Sequence, residues 1–191
     1  MKLGIVVGST RQSRVTPRVA AWVEKTAKDS VSDSEWSLID LAEYDLPMMT
    51  EPLPPMAGER PELSDGTKRY LQDMNDVDGF VFITPEYNHG IPAALKNAID
   101  LLDYQLMRKP VAIVSHGSVG GARANEQLRL VVNSNLGGLP IPQSVTFYGR
   151  VPELIGEDGA LAEGNEGTQN ALNDMVQSLV WHARALKAAR D

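Results

Sequence analysis

The segment Gly79 to Thr84 (GFVFIT) is almost continuously apolar and lacks the in-and-out alternation of a strand with one wet face. A short run of this kind is expected in the middle of a parallel sheet whose two faces are both covered by helices. Pro110 to Ser115 (PVAIVS) has the same character, and Lys2 to Val7 (KLGIVV) reads as a first strand. Parallel neighbours need long crossover connections, so the chain between such strands has to supply helices.

It does so repeatedly. From Val15 toward Asp29, Val19, Trp22, Val23 and Thr26 fall on one helical face. Trp36 to Leu41 alternates like a short strand, and a helix is expected from Ser64 to Asn75 after the Pro-rich stretch Leu46 to Pro61, read as a surface loop. A helix opening at Pro92 carries Leu95, Ala98, Ile99 and Leu102 at three-four spacing. Another is expected from Ala122 to about Asn135, stopped by Gly137-Gly138. Ser144 to Tyr148 reads as the last strand and Gly149 to Gly167 as a loop. Leu172, Met175, Val176, Leu179, Val180 and Leu186 mark the closing helix. About five strands alternating with about five helices indicate an α/β, doubly wound five-stranded parallel sheet with helices on both faces.

Ligands of such sheets sit beyond the carboxyl ends of the strands. Three chemically distinctive loops leave those ends, at Ser9–Thr16, Pro85–Gly90 and Ser115–Gly121. They are expected to converge on one crevice. With 191 residues, one domain spanning 1–191 is the expectation. There is no cysteine, which excludes disulfides, thiolate metal sites and thiol redox chemistry, so any redox work needs a cofactor. A net charge of −7 argues against a nucleic-acid partner. No apolar run is long enough for a membrane span, and Leu3 to Val7 is too short for a signal-peptide core, so the expected location is the cytoplasm.

Ser9, Thr10, Arg11, Ser13, Arg14 and Thr16 stand at or just ahead of the first helix, where free backbone N–H groups and the helix dipole favour an anion. Two guanidinium groups suit a phosphate dianion. The competing reading is a polar turn with solvated arginines. No GxGxxG follows the first strand and no GxxxxGK[ST] occurs, so a monophosphate is the simpler match. His89, His116 and His182 are too scattered for a metal motif, and no metal is expected. Glu86 and Asp100 make a weak case for a paired-carboxylate hydrolase. Ser118 is not in a GxSxG elbow. Trp22 and Trp36 read as core residues, while Lys96 and Arg123 more simply complement helix ends.

The stretch from Pro85 through Glu86, Tyr87, Asn88, Gly90, Pro92, Leu95, Lys96, Asn97 and Ala98 to Asp100 resembles the PEYNxGxPxxLKNAID segment of the NADPH-dependent FMN reductase family. The opening Gly-Ser-x-Arg at Gly8 to Arg11 and the later Gly120-Gly121 loop fall in the order that family shows. The resemblance implies a flavodoxin-like sheet of strand order 2-1-3-4-5, FMN as cofactor, and NADPH or NADH as donor. A quinone, a free flavin or a similar small molecule would be the acceptor. It implies that Ser9, Arg11 and their neighbours hold the phosphate, and that Pro85, Glu86, Tyr87 and Asn88 lie along the ribityl chain and ring. Ser115, His116, Gly117, Ser118, Gly120 and Gly121 would approach the pyrimidine edge. Many members have Ser and Asn where this chain has Arg14 and Thr16. The glycines have a reason of their own, since they let backbone approach a flat ring and offer N–H groups to the charge of a reduced flavin. Homodimers or homotetramers are also implied. The alternatives are a flavodoxin-type electron carrier and a scaffold without activity.

Overall fold

The computed structural model describes residues 1–58, 60 and 62–190. Five strands, β1 (Lys2–Val7), β2 (Glu35–Asp40), β3 (Phe80–Pro85), β4 (Pro110–Gly117) and β5 (Leu139–Tyr148), form one sheet in the order β2-β1-β3-β4-β5. Every pairing is parallel. The helices are α1 (Thr16–Ser30), α2 (Asp65–Asn75), α3 (Ala93–Asp100), α4 (Ala122–Val132), α5 (Val151–Leu154) and α6 (Glu166–Arg190). The flavodoxin-like topology expected from the sequence is the one observed. As its unbroken apolar run requires, β3 is buried at every position.

The two faces of the sheet form separate cores. On one, Val19, Trp22, Val23 and Ala27 of α1 and Leu172, Met175, Val176 and Leu179 of α6 cover Leu3, Ile5, Val81 and Val114. Trp22 is 1% exposed, its ring centroid is 5.6 Å from that of Phe147, and its indole N–H donates to Gln169 Oε1 at 2.8 Å. An aromatic burying about 150–250 Å² gains roughly 4–6 kcal/mol before entropy is counted, provided its polar atom is satisfied, as here. On the other face Tyr70 and Met74 of α2, Leu95 and Ile99 of α3, and Leu128 and Val132 of α4 cover Val6, Phe80, Phe82 and Ile113. Trp36 is buried in the first of these cores, as expected.

Local chemistry sets the boundaries. The Ser64 hydroxyl accepts the Thr67 N–H at 3.2 Å and caps α2, an N-cap contribution of about 1 kcal/mol. Leu41, expected to end β2, instead opens a 3-10 turn (Leu41–Glu43), in which the Ala42 N–H is capped by the Asp40 carboxylate. Pro92 caps α3 rather than lying inside it, and α3 ends at Asp100, short of Leu102. The fourth helix stops at Val132, before the expected Asn135, and the chain reverses through Gly137 at φ 65°. β5 begins at Leu139, five residues ahead of Ser144, and the expected loop from Gly149 to Gly167 contains α5 and an Ile155–Leu161 bridge.

The Pro-rich segment runs over the α3 side of the sheet; the proposed end of that loop, Pro61, lies outside the described residues. It is pinned by Asn97, whose amide donates to Pro47 O and accepts the Met49 N–H, both at 2.9 Å.

Candidate functional site

β1 leaves the sheet through a position that only glycine fits. The Gly8 N–H donates to Ile83 O at 2.9 Å, and a Cβ there would stand 2.7 Å from that oxygen and 2.9 Å from Leu95 Cδ2. The loop that follows delivers the chain to the N-terminus of α1. That terminus has no side-chain cap and no acidic residue in its first turn. Among the described residues, the backbone N–H groups of Thr10, Arg11, Gln12 and Ser13 have no intramolecular acceptor. Unpaired N–H groups at the positive end of a helix are an anion site in waiting.

The two arginines of this loop differ. Arg11 is exposed; its guanidinium lies 5.3 Å over the Tyr87 ring and makes one long hydrogen bond, 3.5 Å to Ser13 Oγ. Arg14 is folded inward, with Nη2 on Asp40 Oδ2 at 2.7 Å, Nη1 on Asp40 Oδ1, and Nη1 also on Ser9 O at 2.6 Å. Thr16 is fully buried, and its hydroxyl meets His116 Nε2 at 3.1 Å. Thr10, Arg11 and Ser13 therefore face outward, while Arg14 and Thr16 turn toward the protein.

The second loop is a two-residue hairpin. Tyr87 and Gly90 exchange N–H···O bonds of 2.9 and 3.1 Å, and the central residues Asn88 and His89 have φ of 49° and 68°. Both central residues in left-handed conformation is the geometry of a type I′ turn, for which Asn is favoured. The Tyr87 hydroxyl bonds Ser9 Oγ at 2.8 Å and so ties this loop to the first. Pro85 is buried as the last residue of β3. The Glu86 side chain, 7% exposed, turns to the start of α4, where it accepts from Arg123 Nη1 at 2.6 Å and from the N–H groups of Arg123 and Ala124 at 3.0 and 3.4 Å. Burial alone would raise its pKa, but the guanidinium and helix N–H groups outweigh it and hold the carboxyl below its usual value.

In the third loop Ser115 is buried; its hydroxyl donates to Gly120 O at 2.9 Å and accepts from Asn125 Nδ2 at 3.3 Å. Gly120 and Gly121 have φ of 72° and 71°. A Cβ on Gly121 would stand 2.8 Å from His116 N and 3.0 Å from His116 O, so glycine alone lets the loop double back onto β4. Gly117 is half-buried and Ser118 exposed at the rim. Burial pushes the His116 imidazole down to about 4, so it is neutral at pH 7 and suited to its bond with Thr16.

The three loops thus meet at one end of the sheet and are cross-bonded. Sequence reasoning missed Asp40, Asn97 and Asn125. Asp40 had a signal: in the order 2-1-3 it lies beside Val7 at the mouth of the first loop.

Residues 1–150 match the family described as NADPH-dependent FMN reductase. The chain belongs to that family. It is similar to the NAD(P)H-dependent FMN reductase LOT6 of Saccharomyces cerevisiae, 35% identical over 81% of this chain and 89% of that one. It is also similar to a quinone reductase of Pseudomonas putida, 29% identical over 96% and 97% of the two chains. Among solved structures, FerB of Paracoccus denitrificans, a flavoenzyme NAD(P)H:(acceptor) oxidoreductase, shares the fold with a TM-score of 0.71, at 23% identity over 95% and 98% of the chains. This FMN reductase family member is an oxidoreductase with FMN as cofactor and NAD(P)H as donor. Its residues fit that group: an uncapped helix N-terminus, unpaired N–H groups and an outward guanidinium suit a phosphate.

Proposed function

We propose that residues 1–191 act as one FMN-binding domain that oxidises NAD(P)H and reduces a quinone, a free flavin or a similar small acceptor. The observation that carries this reading is the uncapped start of α1 with the exposed Arg11 beside it, cross-bonded through Ser9 and Tyr87 to the β3 loop. The phosphate is assigned to the N–H groups of Thr10 to Ser13 with the side chains of Thr10, Arg11 and Ser13. Tyr87, Asn88 and the backbone after Pro85 would flank the ribityl chain and ring, and the loop from Gly117 to Gly121 would lie at the pyrimidine edge, with the Gly120 N–H kept on Gly117 O at 3.0 Å.

When bound at the residues assigned above, FMN would supply the redox chemistry, a two-electron transfer from nicotinamide to acceptor. The protein needs no side-chain base for that transfer. Its tasks would be to neutralise the phosphate, to hold the third loop at the edge of the ring, and to leave one ring face open to donor and acceptor in turn. Ser115, Thr16, His116, Glu86 and Arg14 are assigned to holding the loops.

The setting proposed for this activity is a cytoplasmic homodimer or homotetramer. Association of copies is supported by the exposed Met49 on the wall of a cleft of about 680 Å³ that is also lined by Pro54, Met56, Ile99 and Leu136.

The test is anaerobic addition of NADPH or NADH to the FMN-loaded protein, followed by a quinone. The flavin absorbance should bleach and return at rates matching turnover, with parallel steady-state lines. Bleaching by dithionite but by neither nicotinamide would leave a flavodoxin-type carrier instead.

A further inference from the structure

The loop ahead of α1 carries two arginines, and only one of them is available to an anion. Arg14 is 17% exposed and Asp40 10% exposed at their side chains, and the two are joined through Nη1 and Nη2 of the guanidinium and both carboxylate oxygens. Arg14 also donates to Ser9 O, the carbonyl that opens the loop, at 2.6 Å. Asp40 in turn accepts the Ala42 N–H at 3.1 Å, which fixes the turn at the end of β2. β1 and β2 are in register up to Val7 and Asp40, so this pair closes the sheet edge at the mouth of the loop. A planar fork that satisfies three oxygens at once sets an orientation as well as a charge, which a lysine could not do.

We infer that Asp40 and Arg14 are a positioning pair for the FMN phosphate: Asp40 withdraws Arg14 from the anion site and uses it to hold the Ser9 carbonyl. The following N–H groups then point outward and Arg11 alone supplies the side-chain charge. This rests on the functional reading above and deepens it. The pair shapes the cradle without touching its occupant.

The two roles open to Arg14 predict opposite behaviour of Asp40. Were Arg14 a phosphate ligand, neutralising Asp40 would release it and FMN would bind at least as tightly. As a positioning pair, loss of either member disorders the same carbonyl, so the effects run in the same direction and do not add.

The experiment is fluorescence titration of the flavin-stripped full chain with FMN and, separately, with riboflavin, for the parent, Arg14→Gln, Asp40→Asn and the double variant. Expected is a loss of about tenfold in FMN affinity for each single variant, no further loss in the double, and riboflavin affinity held within about twofold. Arg14→Lys keeps the charge and is the conservative variant. It should fall with Arg14→Gln, and parent-like FMN affinity in that variant would overturn the pairing. Unchanged or tighter FMN binding by Asp40→Asn would overturn it in favour of a direct ligand. Equal loss of FMN and riboflavin would overturn it in favour of general structural support. Failure of the parent itself to bind FMN would overturn the functional reading, an outcome distinct from any ranking of the variants.

Discussion

Replacing Glu86 with glutamine removes one charge from the join between the second loop and α4 while nearly preserving shape. In the parent, two N–H groups at the start of α4 and the Arg123 guanidinium converge on this carboxylate. The capping bonds contribute about 1 kcal/mol and the dipole about 0.5 kcal/mol. Arg123 is 48% exposed, so solvent screens its ion pair to about 0.5 kcal/mol. Glutamine keeps one acceptor oxygen, so the expected loss for Glu86→Gln at pH 7 is about 1 kcal/mol, against about 2 kcal/mol for Glu86→Ala. The pH dependence follows from the sign of the shift. The folded pKa lies below the ordinary 4.5, so the carboxylate's contribution is complete above that value and is lost as pH falls through the lower, folded one. Urea unfolding of parent and Glu86→Gln, from pH 7 down to the acid limit of the fold, measures the gap between them. A gap that stays constant or widens below pH 4.5 would show that the carboxylate charge is not what joins these elements.

Arg11→Ala should weaken FMN by about 1.5–3 kcal/mol, the worth of a charge-assisted hydrogen bond, and leave riboflavin unchanged; equal loss of both, by titration, refutes a phosphate role. Gly121→Ala places a Cβ 2.8 Å from backbone at φ 71°. Left-handed strain alone costs about 1–2 kcal/mol and the contact adds to it, so a clear drop in Tm is expected, and an unchanged Tm counts against this loop geometry. His116 is held neutral at a pKa of about 4 against the ordinary 6.5, so the stability it confers is complete above about pH 6.5 and is lost progressively toward pH 4. His116→Asn should flatten that part of the stability profile measured by denaturant titration, and an identical acid slope in the variant would refute the assignment.

The sheet was legible because β3 and β4 are hydrophobic on both faces, a pattern few other placements satisfy. The stretch of β5 ahead of Ser144 contains Pro140 and Pro142, which have no N–H for a strand ladder. At an edge strand a missing N–H is tolerated, and the register shift opposite Val111 and Ile113 takes up the irregularity. In the site, position along the chain was enough to bring the three loops together. The direction of individual side chains was not readable, because it depends on partners distant in sequence. Asp40 draws Arg14 inward, His116 occupies Thr16, and the open end of α4 captures Glu86. Asn97 lay inside the most informative motif, yet its partners, Pro47 and Met49, belong to a loop with no motif of its own.

The cross-bonds between the loops also dictate when the site comes into being. Ser9 meets Tyr87 across 78 residues of chain, and Thr16 meets His116 across 100. The latch on the second loop, Arg123, comes later still. A nascent chain that has emerged only through β3 holds the anion loop but neither the histidine nor the helix end that fixes its neighbours. Contacts this distant in sequence form late because long loops must close first. The joined loops therefore need the chain through residue 123, and a chain cut short of α4 would lack both the Arg123 guanidinium and the helix end that hold Glu86.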